Sequence, residues 1–341
     1  MPTRVLLVGA GAIGAFYGSR LACAPNTAVS ALCRSNYKAV KASGFKVTSP
    51  QYGESTFKPE HTFSSPDEAR KAAVTWDYLL VATKALPDVN DDSTLLEGLV
   101  GPETSIVLVQ NGLGVEEPYR RRFPKAYILS AVTIASAVQP SDGHIDHNRW
   151  TRISIGPYLP HLDSGSAAAE ATDEAAMQKN SRLVELLQAG GVGDAEIYDH
   201  AGLQFVRWHK IAINAAMNPS SVLSGGTGNQ EMSTDPELSR HLLGVMNEVL
   251  DTAPKVLGKP LPDKLATAER ILGSTRKNSS GSKPSMQIDW EKGNRLELEV
   301  ILGNPIRMAR EKGLEMPGLQ SMYALLRKAQ EARENAKGSK L

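Results

Sequence analysis

Lys210, Asn214 and Asn218, followed at once by Pro219, place one ammonium and two amides at intervals of four residues. On an α-helix each such step advances only about 40° around the axis, so the three side chains share one face. An ammonium flanked by amides suits an oxyanion, or a carbonyl that gains negative charge, and does not suit an apolar core. His209 is the neighbouring candidate acid, but it projects about 100° away from Lys210 and reads as structural. A further group lies downstream. Ser285, Asp289, Gly293 and Glu297 are also spaced by four, and a single continuous helix would put them on one face. Ser285 offers a hydroxyl to a carboxylate. Glu297, between Leu296 and Leu298, requires a partner such as the Lys210 ammonium or a ligand hydroxyl.

A second constellation opens the chain. Gly9-Ala10-Gly11-Ala12-Ile13-Gly14 follows the apolar run Val5–Val8 and precedes a helical stretch, Ala15–Leu21. In that setting the glycine pattern permits a tight turn, close approach of a pyrophosphate to the backbone, and close packing of helix on strand. The helix N-terminus adds N–H donors for the anion. The next apolar run ends Leu32-Cys33-Arg34-Ser35, without the carboxylate that would take the ribose hydroxyls of NAD. Arg34 can hold a 2′-phosphate through two parallel hydrogen bonds, so NADPH is expected in preference to NADH. Lys84, after Leu80-Val81-Ala82-Thr83, lends a second positive charge to that phosphate, and Asn111 in Gln110-Asn111-Gly112 brings an amide to the nicotinamide or substrate. Plainer readings stand beside these: a surface arginine, a solvated lysine, an Asn-Gly turn.

These residues need two kinds of scaffold. Apolar runs at Val5–Val8, Val29–Cys33, Tyr78–Ala82, Ile106–Val109, Tyr127–Ala131 and Ile153–Ile155 alternate with helical or turn-rich stretches, which predicts an α/β, doubly wound parallel sheet of the Rossmann kind over residues 1–200. Residues 160–180 read as a surface insertion before a helix at Ser181–Gln188. Residues 201–341 read as all-α. Thr234 is placed for a capping box to Glu237, further helices are expected at Pro262–Leu272, Asn294–Lys312 and Gly318–Ala336, and Pro305 kinks or breaks the second of these. Ser274–Lys283 is a loop.

With 341 residues, and roughly 150 per domain, two domains are expected. Lys and Arg total 38 against 37 Asp and Glu, a net charge of +1, which gives no electrostatic reason to propose nucleic acid or a membrane as partner. Cys23 and Cys33 have no metal-ligand spacing and read as reduced thiols, and no metal is expected. The glycines after Arg4 argue against a signal peptide. Ser339-Lys340-Leu341 spells the address read by a peroxisomal import receptor, against the alternative of a frayed basic tail on a cytoplasmic protein. Monomer and homodimer both remain open.

Taken together, Gly9-x-Gly11-x-x-Gly14, Arg34, Ala82-Thr83-Lys84-Ala85, Gln110-Asn111-Gly112, Lys210-x3-Asn214-x3-Asn218-Pro219 and Ser285-Met286 with Asp289 and Glu297 resemble ketopantoate reductase (2-dehydropantoate 2-reductase) over nearly the whole chain. The resemblance implies a C-terminal domain like that of 6-phosphogluconate dehydrogenase, and NADPH-dependent reduction of the 2-oxoacid 2-dehydropantoate to (R)-pantoate for coenzyme A biosynthesis. It further implies Lys210 as general acid. Asn111, Asn214, Asn218 and Ser285 would hold substrate, Glu297 would meet the reacting hydroxyl or the cofactor, and Arg34 and Lys84 the 2′-phosphate, with Asn229 a looser match to a further family asparagine. Three rivals remain. A β-hydroxyacid dehydrogenase would carry glycines where this chain has Ala201, Gln204 and Val206. A paralogue would reduce another branched 2-oxoacid or ketone, and a non-catalytic NADPH-binding protein would have no use for the Lys210 group.

Overall fold

A computed structural model describes residues 1–159, 167–279 and 281–338. The tripeptide Ser339–Leu341 and residues 160–166 of the expected insertion lie outside the described residues. The chain forms two compact units: Met1–Lys84, Asp91–Gln110 and Val115–Leu203 make the first, and Ala85–Asn90, Asn111–Gly114 and Gln204–Leu341 make the second.

The first unit is built on one sheet of ten strands among the described residues: β1 (Thr3–Val8), β2 (Thr27–Leu32), β3 (Phe45–Ser49), β4 (Gly53–Phe57), β5 (Thr62–Phe63), β6 (Tyr78–Val81), β7 (Ser105–Leu108), β8 (Tyr127–Ser141), β9 (His144–Pro157) and β10 (Ala195–Ile197). Its order is β4-β3-β9-β8-β7-β6-β1-β2-β5, with β10 beside β9. From β5 to β8 every pairing is parallel, for example Val5 with Val29 and Leu7 with Leu80. Continuous apolar runs are what a strand buried on both faces requires. Val5 and Leu7 join a cluster with Phe16, Tyr17 and Leu187, while Leu6 and Val8 join another with Phe63, Trp76 and Tyr119. The pleat thus sends alternate residues of β1 into two separate cores.

The sheet departs from a purely parallel one at its far side. β8 and β9 form a long antiparallel pair turned at Asp142-Gly143, where Gly143 has φ 76°. β3 and β4 form a second antiparallel pair, which lies outside the expected strands. The expected surface insertion is also corrected in its described part. A single helix, Ala167–Ala189, replaces the shorter one at Ser181–Gln188, as its alanine-rich sequence favours. It is not a surface element throughout, because Ala176 and Asn180 are buried and the Asn180 amide donates to the Ile155 carbonyl at 2.9 Å.

The second unit is helical. His200–Leu223 runs into it from the first, and Asn229–Thr234, Pro236–Leu257, Ala268–Arg276, Ser285–Glu291, Asn304–Glu311 and Pro317–Gly338 follow. Leu242, Val245, Met246 and Val249 form the buried stripe of Pro236–Leu257 at helical spacing. Three local expectations change. Asp235, not Thr234, caps that helix, accepting from the Glu237 and Leu238 amides. Thr234 closes the preceding helix, and its hydroxyl donates back to the Gln230 and Glu231 carbonyls. The helix expected at Pro262–Leu272 begins only at Ala268, behind the cap Thr267. Finally, no helix joins Ser285 to Glu297, because the helix stops at Glu291 and Gly293 takes φ 70°. Among the described residues no helix is long and apolar enough to cross a membrane.

Removing the Asp235 cap leaves two first-turn amides without their acceptor. Asp235→Ala is expected to lower unfolding free energy by about 1 kcal/mol. Urea denaturation measures it, and a change below about 0.3 kcal/mol would refute the capping assignment.

Candidate active site

Lys210 lies midway along the helix His200–Leu223, half-buried, and its ammonium donates to Asn111 Oδ1 at 2.7 Å. Burial drives its pKa down from the usual lysine range to about 8, the Arg207 guanidinium pushes the same way, and the Glu297 carboxylate opposes both. Glu297 stands in the segment before the next helical turn, where its Oε1 accepts the Ala85 amide at 2.9 Å. Glu297 thus favours the charged form of Lys210, while its own Oε1 is engaged by the Ala85 amide. His209 faces elsewhere, with Nε2 2.9 Å from the Ala266 carbonyl, and burial lowers its pKa. Neutral, it donates that N–H and serves as a structural clip.

Asn111 follows β7 by only three residues, yet it belongs to the helical unit. The cause lies in Glu299–Gly303, a π-turn between Leu298 and the helix Asn304–Glu311. There the Asn304 amide bonds the Glu299 carbonyl, five residues back. In that register the Val300 carbonyl would next be met by residue 305, which is proline and has no N–H, and the proline ring also crowds the carbonyl four residues back. The helix is neither broken nor simply kinked, as expected from Pro305. It widens, and the Val300 carbonyl accepts the Leu113 amide at 2.8 Å instead.

Two more contacts close on the same loop. Asn304 Nδ2 donates to the Leu113 carbonyl at 2.6 Å, and Arg207 Nη1 donates to the Gly112 carbonyl at 2.8 Å. Gly112 has φ 101°, and a Cβ there would lie 2.3 Å from Val300 Cβ, so only glycine fits. Sequence reasoning found Asn111 and Lys210 but missed Arg207, Asn304 and the Ala85 amide. The glycine after Asn111 and the proline after Asn304 were the available signals.

Along the same helix Asn214 is half-buried and Asn218 is 5% exposed. The Asn218 Nδ2 is buried with no hydrogen-bond partner among the described residues, a cost of about 1–3 kcal/mol that a bound polar group would relieve. Ser285 is exposed, at the first turn of Ser285–Glu291. Asn229 opens its own helix and donates to Ser282 Oγ at 3.3 Å.

The glycine loop belongs to the first unit. A Cβ on Gly14 would lie 2.4 Å from the Gly9 carbonyl oxygen, and one on Gly9 would lie 2.7 Å from the Thr83 amide nitrogen, so both positions are closed to side chains. A Cβ on Gly11 would meet nothing within 4 Å. Gly11 is also the N-cap of Ala12–Cys23, without a side-chain cap, so the amides beginning Ala12-Ile13 face an open cradle suited to a pyrophosphate. Asn36, which the sequence reading passed over, braces the loop by donating to the Ala10 carbonyl at 2.8 Å. Arg34 is exposed at the end of β2, 4.0 Å from Asp92. Lys84 is exposed after β6. The glycine loop fits a dinucleotide. Cys33, beside Arg34, is buried and its thiol is pushed up to about 12, which removes it from nucleophilic chemistry at neutral pH.

The chain is similar to known proteins along nearly its whole length. A family model for ketopantoate reductase PanE/ApbA matches residues 5–160, and one for the ketopantoate reductase PanE/ApbA C terminal matches residues 203–330. The uncharacterized protein YDL144C of Saccharomyces cerevisiae is 30% identical, covering 98% of this chain and 96% of its own. A 2-dehydropantoate 2-reductase of Nostoc sp. is 27% identical over 94% of this chain and 93% of its own. The crystal structure of 2-dehydropantoate 2-reductase from Methylococcus capsulatus has a TM-score of 0.81 at 30% identity, covering 97% of each chain.

The π-turn makes a specific demand. Pro305→Ala supplies the missing donor, so the Val300 carbonyl is expected to turn back into its helix and the Leu113 amide to exchange with solvent roughly tenfold faster. Amide hydrogen exchange reads this directly, and unchanged Leu113 protection would dissociate the loop from the proline.

Proposed function

Because the chain belongs to the ketopantoate reductase family, we propose that it reduces 2-dehydropantoate to (R)-pantoate with NADPH, serving coenzyme A biosynthesis. The family makes it a nicotinamide-dependent oxidoreductase. The observation that carries the finer reading is Lys210, a half-buried ammonium on an amide, with its pKa near 8.

When bound, NADPH supplies the hydride that the keto carbon accepts. The amides after Gly11 hold the pyrophosphate, while Arg34 and Lys84 neutralise the 2′-phosphate. Asn214, Asn218 and Ser285 hold the 2-oxoacid, and the unpartnered Asn218 Nδ2 is a donor ready for a substrate oxygen. Lys210 stands at the carbonyl oxygen, favours the developing negative charge, and gives its proton to the alkoxide. Asn111 orients the ammonium by accepting one of its three hydrogens, leaving two for substrate. Glu297 keeps the ammonium charged against the cost of burial and receives the reacting hydroxyl.

An NADPH-oxidation assay comparing 2-dehydropantoate with related 2-oxoacids tests the substrate. Preference for another member would reject 2-dehydropantoate while leaving the reaction type standing. Binding of NADPH with no oxidation across the panel would reject catalysis.

Lys210 must hold its proton to act. A pKa lowered to about 8 means that kcat/KM for reduction is level below that pH and falls as pH rises through it. Lys210→Ala is expected to lower kcat by about 10²- to 10⁴-fold with NADPH affinity retained. Near-normal turnover would remove Lys210 from the chemistry.

Arg34→Ala should weaken NADPH by at least about tenfold and leave NADH nearly unchanged, because only NADPH carries the 2′-phosphate. Equal losses for both cofactors would contradict the contact.

A further inference from the structure

We infer that Arg207 is a positioning residue of the Lys210 site: its buried guanidinium grips the Gly112 carbonyl and so holds Asn111 against the ammonium. The inference rests on reading Lys210 as the acid. Arg207 lies three residues before Lys210, hence on the adjacent turn of the same helix face, and is 2% exposed. Its Nη1 reaches Gly112 at 2.8 Å while Lys210 Nζ reaches Asn111 at 2.7 Å, so successive turns of one helix hold successive residues of one loop.

Packing alone does not call for a guanidinium at this position. An apolar side chain fills space without the desolvation cost of a cation, and a second cation one turn from an ammonium adds repulsion. The loop gives it a purpose. The Gly112 carbonyl is buried beside Val300, and an unanswered carbonyl there would let the loop swing, carrying Asn111 with it. The charged groups acting on Lys210 are Arg207 on its own helix and Glu297 from the segment before the π-turn, while His209 faces the Ala266 carbonyl. Repulsion by Arg207 makes the ammonium a readier proton donor, and Glu297 limits that effect. One side chain therefore sets both where the acid's partner stands and how easily the acid gives up its proton.

The two effects separate by substitution. Arg207→Gln removes the charge and shortens the grip, and Arg207→Lys keeps the charge but loses the planar fork. Kinetics of NADPH oxidation with the most active 2-oxoacid, measured across pH on the full-length protein, are compared for both variants, for Lys210→Ala and for the parent. Arg207→Gln is expected to lower kcat by about 10- to 100-fold and to move the alkaline limb upward by about one pH unit, with the KM for NADPH unchanged. Arg207→Lys is expected to lower kcat while the limb stays near pH 8. A folded Arg207→Gln with the parent's kcat and limb overturns the inference, and so does a uniform loss of activity and cofactor affinity with the limb unmoved. Should Arg207→Gln fail to fold, Arg207→Lys decides, because an unchanged kcat there leaves the grip without effect. Full turnover in Lys210→Ala overturns the underlying reading instead, whatever the Arg207 variants do.

Discussion

The amide hydrogen that Pro305 lacks is the constraint around which the Lys210 site is arranged. Without it the π-register at Glu299–Gly303 leaves the Val300 carbonyl turned toward the loop Asn111–Gly114, which supplies the Leu113 amide. The dependence runs both ways. Each hydrogen bond is worth about 1 kcal/mol net, but a buried carbonyl left unanswered costs about 1–3 kcal/mol, so the turn needs the loop as much as the loop needs the turn. Gly112 follows from the same arrangement, since any Cβ would collide with Val300, and Asn304 and Arg207 complete the hold. Four residues that leave the sheet after β7 thereby become part of the helical unit, and Asn111 comes with them.

Electrostatics then divides the roles among neighbouring groups. Lys210 and His209 are consecutive, yet burial acts on them with different results. The lysine donates to the Asn111 amide oxygen and its pKa settles at about 8, with the Glu297 carboxylate opposing the effect of burial. The histidine meets only a backbone carbonyl, remains neutral, and fixes its turn of helix. Glu297 accepts the Ala85 amide and favours the charged form of Lys210, so the two opposite charges lie within the helical unit.

Much of this was legible from residue types and intervals. The parallel core of β2, β1, β6, β7 and β8 followed from apolar runs, and the glycine loop from its position after a strand. Lys210, Asn214 and Asn218 followed from four-residue steps along what is one unbroken helix. The rest failed for identifiable reasons. The β8–β9 hairpin had its signal in Asp142-Gly143, but the strands run 15 and 14 residues and alternate weakly, so only their buried ends were visible. Ser285 to Glu297 satisfied the helical interval, but Gly293 takes a left-handed conformation that spacing does not reveal. The π-turn is a matter of hydrogen-bond register. A proline in a helical pattern announces a lost donor without saying which carbonyl is released or what will find it.

Chemical groups and substrate shape make different demands on a fold. Helices preserve intervals, so Lys210, Asn214 and Asn218 lie along one helix as their four-residue spacing predicts. Shape recognition depends on elements that intervals do not govern. Because the helix ends at Glu291, Ser285 and Glu297 stand on separate segments, and the position of the hydroxyl is set independently of the carboxylate beside the acid. The buried, unpartnered Asn218 amide adds a polar demand but not a contour. The Ser285 helix is thus a separate element from the one that holds Lys210 to Asn111 and Arg207 to Gly112, and moving it does not require those hydrogen bonds to break.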